Sequence, residues 1–414
     1  MNNNFNFIFV GGVFPKDEEK EILRKSKRRP QMAANNYQWC LIDGFDGNLS
    51  SPVTILNRKY IGSFPKNYTD MIIMSRSFSH TKGAKDIDLG FVNISVLRNI
   101  IPPFHEKKYI KEFLCSGKQN IFFFYSIGSR NLRIAEYIKR KSPGSIVAFY
   151  IPDLPQYVML SVKQSAFVKM HRRFLTRRVN DTLKKSDINV LITQHQAEQL
   201  CVDLDKCLVI EGFASLGNKT FTPIVKSEEF NIVYAGTLAK QYDILDLVHA
   251  FQKVNDPRAR LQICGDGDAV NEIREAEKRD NRIRYLGIMN QEQLTDLYRN
   301  ASLLVNPRKK ENRFTLYSFP SKTIDYMLAG RPVLCQQLEG IPSEYDDYLI
   351  YFSSEGDSNN RLESKITQIL AYSLEELNEI GKRNFDFIAN QKNSSMQAKK
   401  ILDFIRNKHP ELES

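Results

Sequence analysis

The sequence predicts an α/β protein of two domains, each built on a parallel β-sheet covered by helices. Its 414 residues exceed the roughly 250–300 at which a single core stops growing. Short apolar runs of β type alternate with segments of helical periodicity, which indicates parallel strands joined by crossover helices. Several predicted strands end at Gly or Pro, namely at Gly236, Gly265, Gly287 and Pro307. Open α/β sheets place their ligands at such strand ends.

The predicted strands form two series. The first covers Phe7–Val10, Met71–Met74, Ile121–Tyr125 and Ser145–Tyr150. The second covers Val190–Ile192, Cys207–Ile210, Asn231–Tyr234, Arg260–Cys264, Ile283–Tyr285, Leu303–Val305 and Pro332–Leu334. Helices are predicted at Asp243–Phe251, Ala269–Arg279, Gln291–Arg299 and Ser321–Met327. A polar segment, Glu211–Ile224, suggests domains over residues 1–210 and 211–390, and we expect the helical tail 391–414 to pack back on the first domain.

Composition narrows the class of protein. The six cysteines lack the spacing of a zinc site, so we expect no metal site and reduced thiols in a cytoplasmic protein. The N-terminus lacks the basic start of a signal peptide, and no run approaches the ~20 apolar residues of a membrane span. Any membrane contact should therefore be peripheral. The net charge of +11 favours an anionic partner, which could be nucleic acid, a lipid surface or a phosphate-bearing small molecule.

Two glycine loops follow predicted strands that open the two domains. Gly11 and Gly12 follow the first, and Gly236 and Thr237 follow the other, with Lys240 close behind. Glycine lets the main chain approach a phosphate or a sugar, although an ordinary strand-to-loop turn explains each loop too. Neither loop has the pattern of a dinucleotide-binding dehydrogenase or a P-loop NTPase, which argues against both classes.

The segment from Phe319 to Pro332 is the most informative. Pro320 suits the entry to a helix, Ser321 suits its N-cap, and Lys322 adds a positive charge beside the first N–H groups. Such a terminus is a natural seat for a diphosphate. Asp325 follows one helical turn later, placed to accept hydrogen bonds from a ribose diol, and Gly330 ends the helix.

This segment resembles the nucleotide-binding signature of the retaining glycosyltransferases of family 4, in the subgroup that reads Phe-Pro-Ser-Lys. Tyr234–Thr237, Gly265–Gly267 and Leu286–Met289 match further loops of that family in the family's order. The resemblance implies the GT-B fold, in which two Rossmann-like domains face a central cleft.

The resemblance also implies roles for the matched residues. Asp325 would bind the ribose, and the backbone around Ser321 and Lys322 would cradle the diphosphate, with Lys322 as a catalytic residue. Phe319 and Pro320 would also belong to the donor-binding residues. The nucleobase would meet Gly287, Ile288 and Met289. The sequence departs from the family at Tyr317, where the commonest version has a second acid. The usual Arg and Lys of the diphosphate clamp would fall near Thr237 and Tyr242, so Lys240 and Lys322 are the expected substitutes.

Two features of the first domain suggest roles on the acceptor side. Asp153 ends a predicted strand where many relatives carry a His-Asp pair, and it could be a catalytic or acceptor-orienting group or simply the acid of an Asx-turn. The stretch 169–185 mixes basic and apolar residues, Arg172, Arg173, Arg177 and Arg178 among them. It could be a solvated helix or a helix that meets an anionic membrane surface.

The leading hypothesis is transfer of a sugar from a nucleotide-sugar donor, UDP-sugar first, to a hydroxyl of a glycan, glycolipid or protein-linked acceptor. We expect retention at the anomeric carbon, no metal and no cofactor, since the nucleotide sugar is a substrate. The setting would be bacterial surface polysaccharide or glycoconjugate synthesis at the inner face of the cell membrane, and a homo- or hetero-oligomer is possible. The alternatives are a nucleotide-sugar 2-epimerase and a silent partner subunit of another transferase. Nucleic-acid binding is disfavoured, because the basic residues form no recognisable module.

Overall fold

The chain divides into two compact units. The computed structural model describes residues 5–28, 30–154, 176–308, 313–353 and 361–412. The first unit comprises Met1–Ile210 and Ser394–Ser414, and the second comprises Glu211–Asn393. Within the described residues, no helix combines the length and the apolar character needed to cross a membrane.

The first unit is built on a mostly parallel sheet. Its strands are β1 (Phe5–Gly11), β2 (Thr54–Asn57), β3 (Ile72–Ile73), β4 (Arg76–Phe78), β5 (Asp86–Asp88), β6 (Phe91–Val92), β7 (Gln119–Tyr125), β8 (Ile146–Ile151), β9 (Ile188–Leu191) and β10 (Cys207–Val209). Eight of them form one sheet in the order β10-β9-β8-β7-β1-β2-β5-β4, while β3 and β6 form a separate antiparallel pair. Only β4 runs antiparallel to its neighbour in the large sheet. The central strands β1, β7 and β8 are apolar almost throughout because helices cover both faces of the sheet.

The helices of the first unit occupy the connections between its strands. They are α1 (Glu19–Lys25), α2 (Met32–Asp46), α3 (Leu97–Ile100), α4 (Glu106–Leu114), α5 (Ser129–Lys141), α6 (described over 176–184) and α7 (His195–Leu200). The strand order places a switch point between β1 and β7, where the connections leave the sheet in opposite directions.

The second unit contains an all-parallel sheet of six strands. These are β11 (Phe230–Thr237), β12 (Ala259–Asp266), β13 (Ile283–Gly287), β14 (Leu303–Asn306), β15 (Val333–Gln336) and β16 (Ile350–Phe352), in the order β13-β12-β11-β14-β15-β16. Its helices are α8 (Ile244–Gln252), α9 (Val270–Arg279), α10 (Gln291–Arg299), α11 (Lys322–Leu328), α12 (Leu362–Leu370) and α13 (Leu374–Gln391). This is the doubly wound Rossmann order, and its switch point lies between β11 and β14.

The last helix, α14 (Ser394–Lys408), belongs to the first unit and packs on α2. Gly44 of α2 allows this close approach, because an ideal Cβ there would lie 2.4 Å from the carbonyl oxygen of Ser394. The side-chain amide of Asn48 donates to the carbonyl of Ser395 at 2.9 Å.

Two sequence predictions about the strands are wrong. Met71–Met74 is not a strand of the parallel sheet: only Ile72–Ile73 is extended, and it pairs antiparallel with β6. The runs near 190 and 207 do not open the second series, since β9 and β10 complete the first sheet. A short apolar run fixes neither its partner nor its sheet, because both depend on pairings distant in sequence.

A buried arginine joins three main-chain segments of the second unit. Arg331, fully buried, follows Gly330, whose φ of 69° ends α11. Its guanidinium donates to the carbonyls of Thr222 at 2.7 Å and Gly330 at 2.8 Å, and also to that of Arg299. Burial lowers its pKa to about 10. The guanidinium satisfies carbonyls that would otherwise lie buried without a donor.

Replacing this arginine should destabilise the second unit. Arg331→Met keeps much of the side-chain volume but leaves those carbonyls without a donor, and we expect a loss of about 3–5 kcal/mol in the free energy of unfolding. Denaturant titration monitored by far-UV circular dichroism measures this free energy. Arg383→Met, at an exposed position of α13, is the matched control and should change little. Equal stability of the two variants would contradict this role of Arg331.

The first unit contains a histidine held between two carboxylates. The imidazole of His80, whose side chain is 3% exposed, binds Asp86 through Nδ1 at 2.6 Å and Asp46 through Nε2 at 2.8 Å. Burial alone would lower the pKa of His80, but the two hydrogen-bonded carboxylates outweigh it and raise the pKa to about 9. The nearby Asp43 carboxylate also faces this charge. The protonated imidazolium therefore bridges α2 and β5.

The contribution of His80 to stability should depend on pH. Because its pKa is raised in the folded state, the contribution is complete below the unfolded value of about 6.5 and is lost as the pH rises through about 9. The difference in unfolding free energy between the wild type and His80→Asn should be larger at about pH 6 than at about pH 9.5. His249→Asn, an exposed histidine of α8, serves as the control. A difference that does not change with pH would refute the bridging imidazolium.

Candidate active site

The ammonium group of Lys322 lies over the backbone of Gly236. Gly236 stands near the end of β11 with a φ of 154°, which an L side chain rarely adopts. An ideal Cβ at that position would lie 1.2 Å from Nζ of Lys322. The ammonium is 4.8 Å from the centre of the Tyr234 ring and 3.5 Å from its hydroxyl. Glycine at 236 thus gives the lysine its position at the carboxyl end of the central strand.

Arg308 contributes a second cation to this region, and the sequence prediction missed it. It lies two residues beyond β14, on the other side of the switch point from Gly236. Its guanidinium is 4.7 Å from the centre of the Tyr242 ring. Burial lowers the pKa of Lys322 to about 8, and repulsion from Arg308 contributes to this shift. Burial also lowers the pKa of Arg308.

Two desolvated cations at one switch point favour an anionic ligand. Each positive charge raises the free-energy cost of keeping the other one charged in this partly buried region. A diphosphate that reaches both cations would relieve their repulsion. Charge-assisted hydrogen bonds from ammonium and guanidinium groups to phosphate are among the strong ones in proteins. The same groups would stabilise negative charge that develops on a departing diphosphate.

Asp325, one helical turn after Lys322 on α11, opens into a pocket. The pocket has a volume of about 260 Å³, and its walls include Lys219, Thr222, Tyr298 and Arg299. The Asp325 side chain is accessible from the pocket although protein surrounds it. This partial desolvation raises the pKa of its carboxyl group, while Lys219 and Lys322 act in the opposite direction. Arg331 fixes two of the walls, since its guanidinium binds the carbonyls of Thr222 and Arg299.

The loop predicted to meet the nucleobase leads directly into the wall of this pocket. Gly287 ends β13 with a φ of 70°, and Ile288 is 60% exposed. Asn290 then caps α10 through a capping box with Gln293. Because α10 supplies Gln291 and Tyr298 to the pocket, the loop Gly287–Met289 lies at its border.

The cradle predicted around Ser321 differs from the expectation in two respects. Ser321 precedes α11, but its side chain makes no capping hydrogen bond. The N–H groups of Thr323 and Ile324 donate to the carbonyls of Pro320 and Ser321 at 2.8 and 3.2 Å, so they are not free for a phosphate. Helical dihedrals at Ser321 continue the turn backwards and remove the open cap. The positive charge of Lys322 is thus the main attraction for an anion here.

Phe319 and Pro320 are buried, and Phe319 packs on Tyr345 with ring centres 5.4 Å apart. Both residues therefore stabilise the turn before α11. Their direct contact with a donor stays a prediction.

Two further donor-side residues have contacts of their own. The ammonium of Lys240, half exposed, binds the carboxylate of Glu272 on α9. The carbonyl of Thr237 accepts a hydrogen bond from the hydroxyl of Tyr234 at 2.9 Å. The predicted roles of Lys240 and Thr237 in binding stay predictions, but Arg308 is the cation whose charge acts on Lys322.

In the first unit, packing accounts for Gly11, the last residue of β1, and for Gly12, which follows it. An ideal Cβ on Gly11 would lie 2.5 Å from Oε1 of Gln38, and one on Gly12 would lie 2.0 Å from the Tyr60 ring. The N–H of Gly12 donates to Gln38 at 2.8 Å. The side chains of Gln38 and Tyr60 thus fill the space that the glycines leave, and the role of Gly11 and Gly12 in donor binding stays a prediction.

Asp153 follows β8 at the carboxyl edge of the first sheet and is exposed, although the flanking protein raises the pKa of its carboxyl group. The charge of Asp153 also acts on Tyr125, which stacks on Tyr150 with ring centres 5.7 Å apart. The structure therefore places a carboxylate beside a wall of tyrosines. Its catalytic role stays a prediction.

The basic stretch 169–185 lies partly outside the described residues, which include Arg177 and Arg178 but not Arg172 and Arg173. Arg178 binds the carboxylate of Glu136 at 2.7 and 3.1 Å. One of the four arginines expected at a membrane is therefore already paired with an acid.

Comparison with known proteins agrees with this description. Residues 229–371 match the model of the family described as "Glycosyl transferases group 1". No curated protein sequence matches the chain.

Solved structures resemble the chain over almost its whole length. Sucrose-phosphate synthase from Thermosynechococcus elongatus is 15% identical with a TM-score of 0.65, covering 97% of this chain and 98% of that one. HepE of Anabaena, in complex with UDP and glucose, is 13% identical with a TM-score of 0.61, covering 97% and 100%. WaaG, a glycosyltransferase involved in lipopolysaccharide biosynthesis, is 12% identical with a TM-score of 0.57, covering 96% and 99%.

At these identities the likeness establishes the fold, which is GT-B with two parallel-sheet Rossmann-like units. Residues 229–371 thus match the group 1 glycosyltransferase family, and the chain has the GT-B fold.

Proposed function

We propose that the chain transfers a sugar from a nucleotide-sugar donor to a hydroxyl acceptor. The observation that carries the proposal is the position of Lys322 over Gly236, beside the pocket into which Asp325 opens. The diphosphate binds Lys322 and Arg308, and the ribose diol donates to Asp325. The nucleobase lies against Gly287–Met289.

In the reaction, the bond between the anomeric carbon and the diphosphate oxygen breaks, and a bond to the acceptor oxygen forms. Negative charge develops on the diphosphate, and Lys322 and Arg308 stabilise it, so that these side chains supply the positive charge. The acceptor hydroxyl gives up its proton, either to the departing phosphate oxygen or to Asp153 as a general base. We propose retention of configuration and no metal requirement, as the resemblance to family 4 implies.

Named relatives guide the choice of substrates. HepE was solved with UDP and glucose, which favours a UDP-sugar as the donor here. WaaG takes part in lipopolysaccharide biosynthesis. We propose by analogy a glycan or lipid-linked acceptor, made in the cytoplasm for the bacterial surface.

A panel of nucleotide sugars should identify the donor and test the ribose assignment. A ligand that binds the folded state raises the apparent melting temperature, so UDP-, GDP-, dTDP- and ADP-sugars can be ranked by thermal shift. Asp325→Ala should lose most of the shift given by the best donor, because the ribose diol loses its acceptor. Asp347→Ala, an exposed aspartate of the same unit, should keep it. A full shift with Asp325→Ala would overturn the assignment. Suppose instead that a donor binds, but that its sugar is neither transferred to an acceptor extract nor released by hydrolysis. That result would favour the alternative that the chain is a silent partner subunit of another transferase.

The diphosphate assignment predicts a selective loss. Lys322→Gln should weaken the binding of UDP at least about tenfold and leave the binding of uridine unchanged, since only the diphosphate meets the ammonium. Because the pKa of Lys322 is about 8, the affinity of the wild type for UDP should fall as the pH rises through that value. Lys322→Arg should remove this pH dependence, since arginine stays charged. Isothermal titration calorimetry at several pH values measures both effects. Equal losses for uridine and UDP would place Lys322 outside the diphosphate site.

A further inference from the structure

The central strands β11 and β14 part before either of them ends. The pairing of β11 with β12 continues to Thr237, whereas its pairing with β14 ends at Val233↔Leu304 within the described part of the second unit. Strand β14 stays paired with β15 as far as Asn306. The sheet therefore opens between its two central strands at their carboxyl ends, next to Gly236.

Ala235 is the next residue of β11 that would bind β14. The carbonyl of Asn231 accepts a hydrogen bond from the N–H of Ser302, at 2.8 Å, on the β14 side of the strand. Because main-chain groups alternate between the two sides of a strand, Val233 and Ala235 face the same side as Asn231. Ala235 is 2% exposed, so its N–H and its carbonyl both need partners inside the protein.

The phenol of Tyr326 supplies both partners. Its hydroxyl oxygen accepts a hydrogen bond from the N–H of Ala235 at 2.9 Å, and its O–H donates to the Ala235 carbonyl at 3.2 Å. Burial raises the pKa of this fully buried phenol well above its usual range, so the hydroxyl keeps the proton that it donates. A side chain of α11 thus takes the place that the neighbouring strand would have at Ala235.

Tyr326 shares one face of α11 with the lysine of the proposed diphosphate site. Lys322 and Tyr326 are four residues apart, which places them one helical turn from each other on the same face. Lys322 lies over Gly236, and Tyr326 binds the residue before it, Ala235. The ring of Tyr298, which lines the pocket described above, packs edge-on against Tyr326 with ring centres 5.2 Å apart. The position of α11 on β11 therefore depends on Tyr326.

We propose that Tyr326 is a positioning residue for the diphosphate of the donor. Its hydroxyl satisfies Ala235 in place of β14, and it holds α11 where the ammonium of Lys322 lies over Gly236. The inference rests on the proposed function, because the position of Lys322 matters only if Lys322 binds the diphosphate. Tyr326 is fully buried, so it acts through Lys322 and not by touching the donor.

Tyr326→Phe removes the hydroxyl and keeps the ring. Isothermal titration calorimetry at about pH 7 should show UDP binding at least about tenfold weaker than in the wild type, because Lys322 is no longer held in place. The loss of UDP affinity with rising pH should also move upwards, from about 8 towards the ordinary lysine pKa of 10.5, since the released ammonium regains water. A change in stability alone would not move this pH dependence.

Tyr345→Phe is the matched control. Tyr345 is a fully buried tyrosine of the same unit, and its hydroxyl donates to the carboxylate of Glu211 at 2.7 Å. Its loss should leave the affinity for UDP and the pH dependence as in the wild type. An equal weakening of UDP binding in Tyr345→Phe and Tyr326→Phe would overturn the inference, because it would show a general effect of removing a buried hydroxyl.

A double-mutant cycle tests whether Tyr326 acts through Lys322. In the background of Lys322→Gln, Tyr326→Phe should weaken UDP binding by less than about twofold, because the side chain that it positions is already absent. Additive losses, or a Tyr326→Phe variant with the affinity and pH dependence of the wild type, would overturn the inference. If Lys322→Gln alone binds UDP like the wild type, the diphosphate assignment of the proposed function is what fails.

Amide hydrogen exchange of the wild type tests the underlying hydrogen bond without any variant. The N–H of Ala235 should exchange about as slowly as that of Val233, although only Val233 is paired with β14. Exchange at Ala235 as fast as in an exposed loop would overturn the inference, because the hydroxyl of Tyr326 would then not hold this strand.

Discussion

The ammonium of Lys322 occupies the space that a side chain at position 236 would need. A side chain at 236 would displace the ammonium, so the glycine there, whose φ of 154° L side chains rarely adopt, leaves the lysine its position. It also holds a positive charge where the protein partly desolvates it, which lowers the pKa of the lysine to about 8. The donor side of the proposed reaction depends on this one contact, since it combines close backbone approach with a charge that gains from meeting a phosphate.

The sheet order explains why separate stretches of sequence meet at this point. In the order β13-β12-β11-β14-β15-β16, the strands β11 and β14 are neighbours although 65 residues lie between the end of β11 at Thr237 and the start of β14 at Leu303. Connections leave this pair in opposite directions and open a crevice at the carboxyl ends of the strands. Gly236 lies at one side of the crevice and Arg308 at the other. Helix α11 places Lys322 on the side of Gly236. Arg331 then ties the pocket walls at Thr222 and Arg299 to the end of α11.

Much of the second unit could be predicted from the sequence, because its strands are apolar runs with glycine or proline at their ends. Gln291–Arg299 is a helix with the predicted bounds, and α11 begins one residue later than expected. The pairing of β3 could not be predicted, since two extended residues carry no periodicity. Arg308 could be predicted, because Pro307 marks the end of a predicted strand and the switch point makes the next residue a candidate ligand. The absence of a side-chain cap at Ser321 could not be predicted. The Ser321 hydroxyl and the backbone carbonyls compete for the same N–H groups, and only the dihedral angles decide between them.

In the proposed reaction, Lys322 and Arg308 together hold the diphosphate of the donor. A crystal structure of the protein with UDP tests it most directly. The account predicts β-phosphate oxygens within about 3 Å of Nζ of Lys322 and of the Arg308 guanidinium, with the ribose diol on Asp325. A diphosphate bound away from Lys322, or a ribose that does not contact Asp325, would contradict it.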